Sequence, residues 1–281
     1  MQECLFGGQT GMSMFRPMPE LAEVEYFRRR WNVGIGHRIT SLALHARKRV
    51  FRGTDTRALR QQLTGAHLLS SEARGKRMLF RFSNENWLGL HLGMTGRMRT
   101  MCPDFRPEQH DHLVLYQRER ALVFTDARQF GRVQFHHGKI APGWWENGVP
   151  EIVSEKFNRG FLDRFLNRHR KAPIKAVVLM QSGFSGIGNW MADETLWRAR
   201  ILPSKQAGRL NAEERDQLFR ATKFVARESL RIIGPDDSKL PRSWLIHQRW
   251  EAGGKCPRHK TPLRRATIGG RTTAWCPRCQ K

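Results

Sequence analysis

The hydrophobic period of this chain changes once, near residue 150, and a fold must accommodate both halves. Ahead of the change lie short apolar runs at Ile39 to Leu44, Met78 to Phe82, Trp87 to Leu92, Leu113 to Tyr116, Leu122 to Phe124 and Val133 to Phe135, separated by Gly, Asp, Asn or charged turns. Runs of that length and spacing are strands, and several of them suggest a sandwich. One helix, Leu21 to Trp31, precedes them, with Arg28-Arg29-Arg30 near its C-terminal end where cations suit the dipole. After Gly143-Trp144-Trp145 and the Asn147-Gly148-Val149-Pro150 turn the pattern becomes helical. Phe161 and Phe165, then Ile174, Val177, Val178 and Leu179, form helical faces, and Ala172-Pro173 begins a new helix because proline breaks an interior one. A Gly-rich turn at Gly183 to Gly188 leads to a short helix from Asn189 to Arg200. Asn211 with Glu214 three residues on forms a capping-box start to a long helix ending near Ile233-Gly234, before an exposed loop at Asp236 to Pro241. The expected fold class is multidomain α+β: a helix plus β-sandwich at residues 18–150, a helical domain at 151–245 and a small module at 246–281.

The small module is defined by its cysteines. Cys256-Pro-Arg-His259, sixteen residues, then Cys276-Pro-Arg-Cys279 is a two-pair layout that closes a tetrahedral zinc site, each pair spanning one tight turn. Ile268-Gly269-Gly270-Arg271 supplies a hairpin turn between the pairs, and Thr272 to Trp275 reads as its second strand. All four ligand positions are filled by Cys256, His259, Cys276 and Cys279, so the expectation is one structural Zn2+ ion and not a catalytic one. Crowding three of five cysteines at one end suits metal binding in a reducing compartment better than a disulfide framework.

Lys and Arg number 50 against 25 Asp and Glu, a formal net charge of +25, which points to a polyanionic partner, nucleic acid first. The basic residues are spread among nine Trp and 16 Phe, as in a folded binder and unlike a disordered basic arm. No run of 18 apolar residues exists, and the first 17 residues lack a signal-like basic start and apolar core. No membrane association, a monomeric state and a cytosolic or nucleoid-associated location are expected. Residues 1–17 are expected to be an unstructured extension or a start-site artefact, with Met18 as the true start.

Met18 is followed by Pro19-Glu20-Leu21-Ala22-Glu23-Val24-Glu25. Taken alone this is an ordinary helix start, with proline in the first turn and acidic residues near the positive end of the dipole. A proline that becomes a chain terminus, however, carries a secondary amine able to attack a sugar's anomeric carbon and form an iminium without a cofactor. A neighbouring glutamate can then move protons. Gly186-Ile187-Gly188-Asn189 is by itself a common helix–helix turn, although its glycines and the amides that follow also suit a phosphate.

Four stretches in one order, Pro19 to Glu25, His91-Leu92-Gly93-Met94-Thr95-Gly96, Gly186 to Asn189 with Ala192-Asp193-Glu194, and the terminal cysteine hairpin, resemble the formamidopyrimidine-DNA glycosylase and endonuclease VIII family, closer to the former. The resemblance runs from residue 18 to the end. It implies a helix-two-turn-helix domain, a zinc finger, damaged double-stranded DNA as partner, and base excision repair by a bifunctional glycosylase and abasic-site lyase acting on oxidised bases. Pro19 would be the nucleophile, Glu20 the proton donor that helps open the sugar, Glu23 a second glutamate near the site, and Lys76 the strand lysine that contacts phosphate. Met94, Arg128 and Phe130 would fill the void left by the extruded base, and His91 would contact the DNA. Lys171, Asn189 and Arg271 would contact DNA, with Lys175 as an alternative to Lys171.

The chain departs from the family pattern at Ala22, where proline is usual, at Trp190-Met191, and at His259, which replaces a fourth cysteine. The stretch from Gly234 to Lys255 is short for the loop that in the family closes over 8-oxoguanine. Two other readings stand beside the enzyme: a non-catalytic damaged-DNA-binding protein on the same scaffold if the extension is retained, and a basic zinc-ribbon subunit of a larger nucleic-acid machine, which leaves Pro19-Glu20 unexplained.

Overall fold

The structure, a computed structural model, describes residues 18–250 and 252–281, so the expected extension at 1–17 lies outside the described residues. The chain divides into two compact units, the first holding Pro19 and Glu23–Gly148 and the second holding Glu20–Ala22 and Val149–Lys281. The first helix, α1 (Leu21–Arg29), therefore contributes to both: Leu21 and Ala22 belong to the core of the second unit and Val24 to that of the first.

In the first unit β1 (Ser41–Leu44), β6 (Asp111–Tyr116), β7 (Ala121–Thr125) and β5 (Arg97–Met101) form one antiparallel sheet in the order β1-β6-β7-β5. The second sheet is β2-β3-β4-β8, built from β2 (Leu68–Arg74), β3 (Arg77–Phe82), β4 (Asn86–His91) and β8 (Arg132–His137). Alternation of side chains along each strand sends Met78, Phe80 and Phe82 of β3 and Leu88 and Leu90 of β4 into the same core as Leu113 and Leu115 of β6 and Leu122 and Phe124 of β7. That shared core makes the two sheets a sandwich.

All six expected strands are present. The two that the sequence pattern did not announce, β2 and β5, are edge strands of their sheets. Both carry polar residues at exposed positions, as Leu68-Leu69-Ser70-Ser71-Glu72-Ala73-Arg74 and Arg97-Met98-Arg99-Thr100-Met101, because an edge needs few apolar side chains and is protected by charge. A second helix, α2 (Thr56–Leu63), also went unannounced. Its cap is Asp55, which accepts hydrogen bonds from the amides of Arg57 and Ala58, and only Leu59 and Leu63 are buried. The Gly143-Trp144-Trp145 turn is a single helical turn, α3 (Gly143–Glu146).

The second unit contains α4 (Arg159–Arg168), α5 (Ile174–Val178), α6 (Asn189–Arg198) and α7 (Ala212–Asp236), followed by the hairpin β9 (Arg264–Ile268) and β10 (Arg271–Trp275). Pro173 is the N-cap of α5, and Asn211 and Glu214 make the expected reciprocal capping box at α7. That helix runs two residues past its expected end, through Pro235, and stops where Asp237 turns left-handed at φ 64°. Leu240 in the following loop is buried, so the expected exposed loop is anchored in its middle. The core gathers Leu162, Ile174, Val177, Phe184, Ile187, Trp190, Leu196, Leu218 and Val225 with Leu21 and Ala22. No described helix is long and apolar enough to cross a membrane.

Candidate nucleic-acid site and metal centre

Glu20 is buried at the start of α6. Its Oε2 accepts hydrogen bonds from the amides of Gly188 at 2.8 Å and Met191 at 3.1 Å, and its Oε1 from that of Trp190 at 2.9 Å. These amides are among those a helix N-terminus leaves unsatisfied, so a carboxylate far away in sequence caps the helix and takes the favourable end of its dipole. The glycine at 188 is what lets the two meet: a Cβ there would lie 2.3 Å from Glu20 Cδ. Leu21 adds a backbone bond, its amide donating to the Gly186 carbonyl at 3.0 Å. Glu20-Leu21 and the Gly186-Asn189 turn, read separately in the sequence, are thus one piece of structure.

Beneath this turn lies an ion cluster that the sequence pattern did not indicate. Asp193 of α6, fully buried, accepts from Lys175 Nζ at 2.5 Å, from Arg249 at 2.6 and 2.9 Å, and from the amide of Ala274 in β10 at 3.1 Å. Lys175 also donates to the Asn189 carbonyl at 2.9 Å. Lys175 therefore corrects an expectation: with no exposed surface it is an internal brace of α5 against α6 and contributes nothing to a DNA-facing surface. Burial pulls its ammonium pKa below the ordinary lysine value, opposed by Asp193. Lys171, by contrast, is exposed between α4 and α5. Asn189 donates through Nδ2 to the Thr272 carbonyl at 3.0 Å, while its Oδ1 is buried without a hydrogen-bond partner. Arg271 is exposed at the first position of β10, directly after the Gly269-Gly270 turn, whose positive φ values of 61° and 73° fit a two-residue hairpin.

In the first unit Lys76 is not on a strand. It occupies the two-residue turn between β2 and β3 with Gly75, which supplies the positive φ of 60°. Glu23 is buried in α1. His91, at the end of β4, accepts the amide of Gly93 on Nδ1 at 3.0 Å. Burial, with Lys76 and Arg77 nearby, pushes its pKa down to about 4, so the ring is neutral at pH 7 and able to accept. Met94 is half-buried in the turn that follows. Arg128 is exposed, its guanidinium carbon 4.8 Å from the centroid of the Phe130 ring, and Phe130 is 39% exposed. An aromatic ring left that open on a basic surface suits contact with a base stack.

At the C-terminus the Sγ atoms of Cys256, Cys276 and Cys279 all lie within 4.8 Å of one another and can hold a metal ion. Cys256 and Cys279 are 3.9 Å apart, close to the ~3.8 Å edge of a tetrahedron with metal–sulfur bonds of about 2.3 Å. Burial and its two sister thiols push the Cys279 pKa up to about 12. His259 is not part of this group as its ring stands, but its Nδ1 is buried without a hydrogen-bond partner, which leaves it available as a ligand.

The chain combines a two-sheet sandwich, a helical unit and a cysteine hairpin able to hold a metal ion, and comparison with known proteins gives that combination its family. Residues 18–133 match the formamidopyrimidine-DNA glycosylase N-terminal domain and residues 149–237 the formamidopyrimidine-DNA glycosylase H2TH domain. The formamidopyrimidine-DNA glycosylase of Pelotomaculum thermopropionicum is 32% identical over 94% of this chain and 99% of its own length, and that of Desulfitobacterium hafniense is 33% identical over 94% and 100%. The Lactococcus lactis protein in complex with DNA containing an oxidised pyrimidine superimposes with a TM-score of 0.84 at 27% identity, covering 94% of this chain and 100% of that one. A structure of MutM with carbocyclic 8-oxo-G-containing DNA gives a TM-score of 0.84 at 28% identity over the same shares. The chain belongs to the formamidopyrimidine-DNA glycosylase family.

Proposed function

We propose that this protein is a bifunctional DNA glycosylase and abasic-site lyase of base excision repair, acting on damaged double-stranded DNA with formamidopyrimidines and oxidised purines as its first substrates. The observation that carries this reading is the buried Glu20 carboxylate, next in sequence to Pro19 and fixed on the α6 N-terminus. The relatives' shared name, the DNA in the solved structures and the start of the family match at residue 18 support it.

In this reading Pro19 is the mature N-terminus. Its amine nitrogen attacks C1′ of the damaged nucleotide, and the bond from C1′ to the base breaks, the base leaving with the electron pair and a proton. Glu20 delivers a proton to the sugar ring oxygen as the ring opens to an iminium. Loss of a C2′ proton then expels the 3′ phosphate, and a second elimination expels the 5′ phosphate. An α-amino group with a pKa of about 7.7 to 8.0 is partly neutral near pH 7, whereas a proline amide has no nucleophilic lone pair. Glu23 lies near the reacting sugar, and Lys76 holds a phosphate beside the lesion from its turn. Met94, Arg128 and Phe130 fill the vacated stack, His91 contacts the DNA beside the lesion, and Lys171, Asn189 and Arg271 grip phosphates. Cys256, His259, Cys276 and Cys279 would hold one structural Zn2+, which would tie the two turns of the hairpin base together.

Borohydride trapping on abasic duplex DNA tests the proposal. Protein beginning at Pro19 should form a covalent adduct, and the same protein with its amine acetylated should not. An undiminished adduct after acetylation would overturn Pro19 as nucleophile, and no adduct from either would leave a damaged-DNA-binding protein without catalysis.

A further inference from the structure

We infer that Asp126 is a positioning residue that locks the Met94 turn and the Arg128–Phe130 loop together, so that both enter the base stack as one rigid wedge. The inference rests on the glycosylase reading above. Asp126 follows β7 and has no exposed surface. Its carboxylate bridges the two loops: Oδ1 accepts the hydroxyl of Thr95 at 2.6 Å, and Oδ2 accepts the amide of Gly131 at 2.7 Å. The Thr95 oxygen in turn accepts the amide of Arg128 at 3.3 Å, so residues flanking Met94 on one side and Phe130 on the other converge on one carboxylate.

The backbones are in contact as well. A Cβ on Gly93 would lie 2.5 Å from both the Gly131 nitrogen and the Phe130 carbonyl carbon. Asp126 is itself fixed from behind, its amide donating to the His110 carbonyl at 3.0 Å and its carbonyl accepting from His112 Nε2 at 2.9 Å and from the Gln129 amide at 3.2 Å. Two loops tied only by side-chain contacts at their tips could splay apart when pressed against stacked bases. A buried, charge-assisted pair of bonds resists that, and a site loosened by about 1 Å loses much of its function. Asparagine at 126 could accept from Thr95 but would set an amide donor against the Gly131 N–H.

The test compares the unaltered protein beginning at Pro19 with Asp126→Asn, Thr95→Val and Thr95→Ser on two substrates: lesion-containing duplex, with 2-aminopurine beside the lesion to report unstacking, and a single-stranded abasic oligonucleotide that needs no wedge. In Asp126→Asn and Thr95→Val the ratio of duplex to single-strand cleavage should fall at least about tenfold, the scale of a lost bond to a charged group. The 2-aminopurine signal should fall with it, and Thr95→Ser, which keeps the hydroxyl, should restore both. An unchanged ratio, or equal losses on both substrates, would overturn the proposal, and Thr95→Val decides the matter if Asp126→Asn fails to fold. Failure of the unaltered protein to cleave either substrate would instead sink the glycosylase reading, and this one with it.

Discussion

Glu20 and Gly188 occupy each other's space: the Glu20 Cδ sits 2.3 Å from where a β-carbon at 188 would be, and the Gly188 amide donates to its Oε2 at 2.8 Å. The backbone at 188 is extended, with φ −119° and ψ −156°, so any residue could adopt it and only the collision demands glycine. Gly188→Ala should therefore displace the carboxylate, destabilising the protein by about 1–3 kcal/mol, the usual scale of overpacking. Chemical denaturation and borohydride trapping on the same variant would show the two losses together.

Glu20→Gln exchanges one acceptor oxygen for a donor that would face an α6 amide. Base excision should fall by about a hundredfold or more, the scale of a lost general acid or base, with binding of abasic-analogue DNA affected far less. Single-turnover excision and a binding titration would separate the two.

Asp193 stands between Lys175 and Arg249, which are 0% and 2% exposed. Asp193→Ala leaves two buried cations facing each other and should cost about 3–5 kcal/mol, as removal of one partner of a buried ion pair does. A urea titration following tryptophan fluorescence would register it. Lys171→Ala, at an exposed position, should leave stability unchanged and weaken DNA binding.

His91 has a folded pKa of about 4 against an ordinary 6.5. Between those values the unfolded chain binds the proton more readily, so this group's contribution is complete above pH 6.5 and is lost as pH falls toward 4. His91→Asn keeps an acceptor for the Gly93 amide without a titrating ring. Denaturation midpoints from pH 7.5 to 4.5 should fall more steeply for the unaltered protein than for the variant.

Purified protein should contain one zinc ion per chain by atomic emission, and Cys276→Ser should abolish it. Chelation should release the hairpin and weaken DNA binding. Binding by the intact protein should also weaken with salt, with a slope of about −0.9 per phosphate neutralised.

The sequence by itself determined the period change at residue 150, the six well-formed strands, the capping box at Asn211 and Glu214, and the cysteine spacing, because each depends on neighbours within a few positions. It was silent on β2 and β5, whose edge positions relax the apolar pattern, and the strand position that the family resemblance implied for Lys76 is a two-residue turn. Only the tertiary structure decided that Lys175 faces inward, since a lysine's partner can come from anywhere in the chain and Asp193, which also pairs with Arg249, is 18 positions away. The same holds for Asp126 and for Glu20, whose hydrogen-bond partners lie 168 to 171 residues on. Burial and long-range hydrogen bonding are properties of the packed chain, and no local pattern of residue types encodes which distant amide will be left needing a carboxylate.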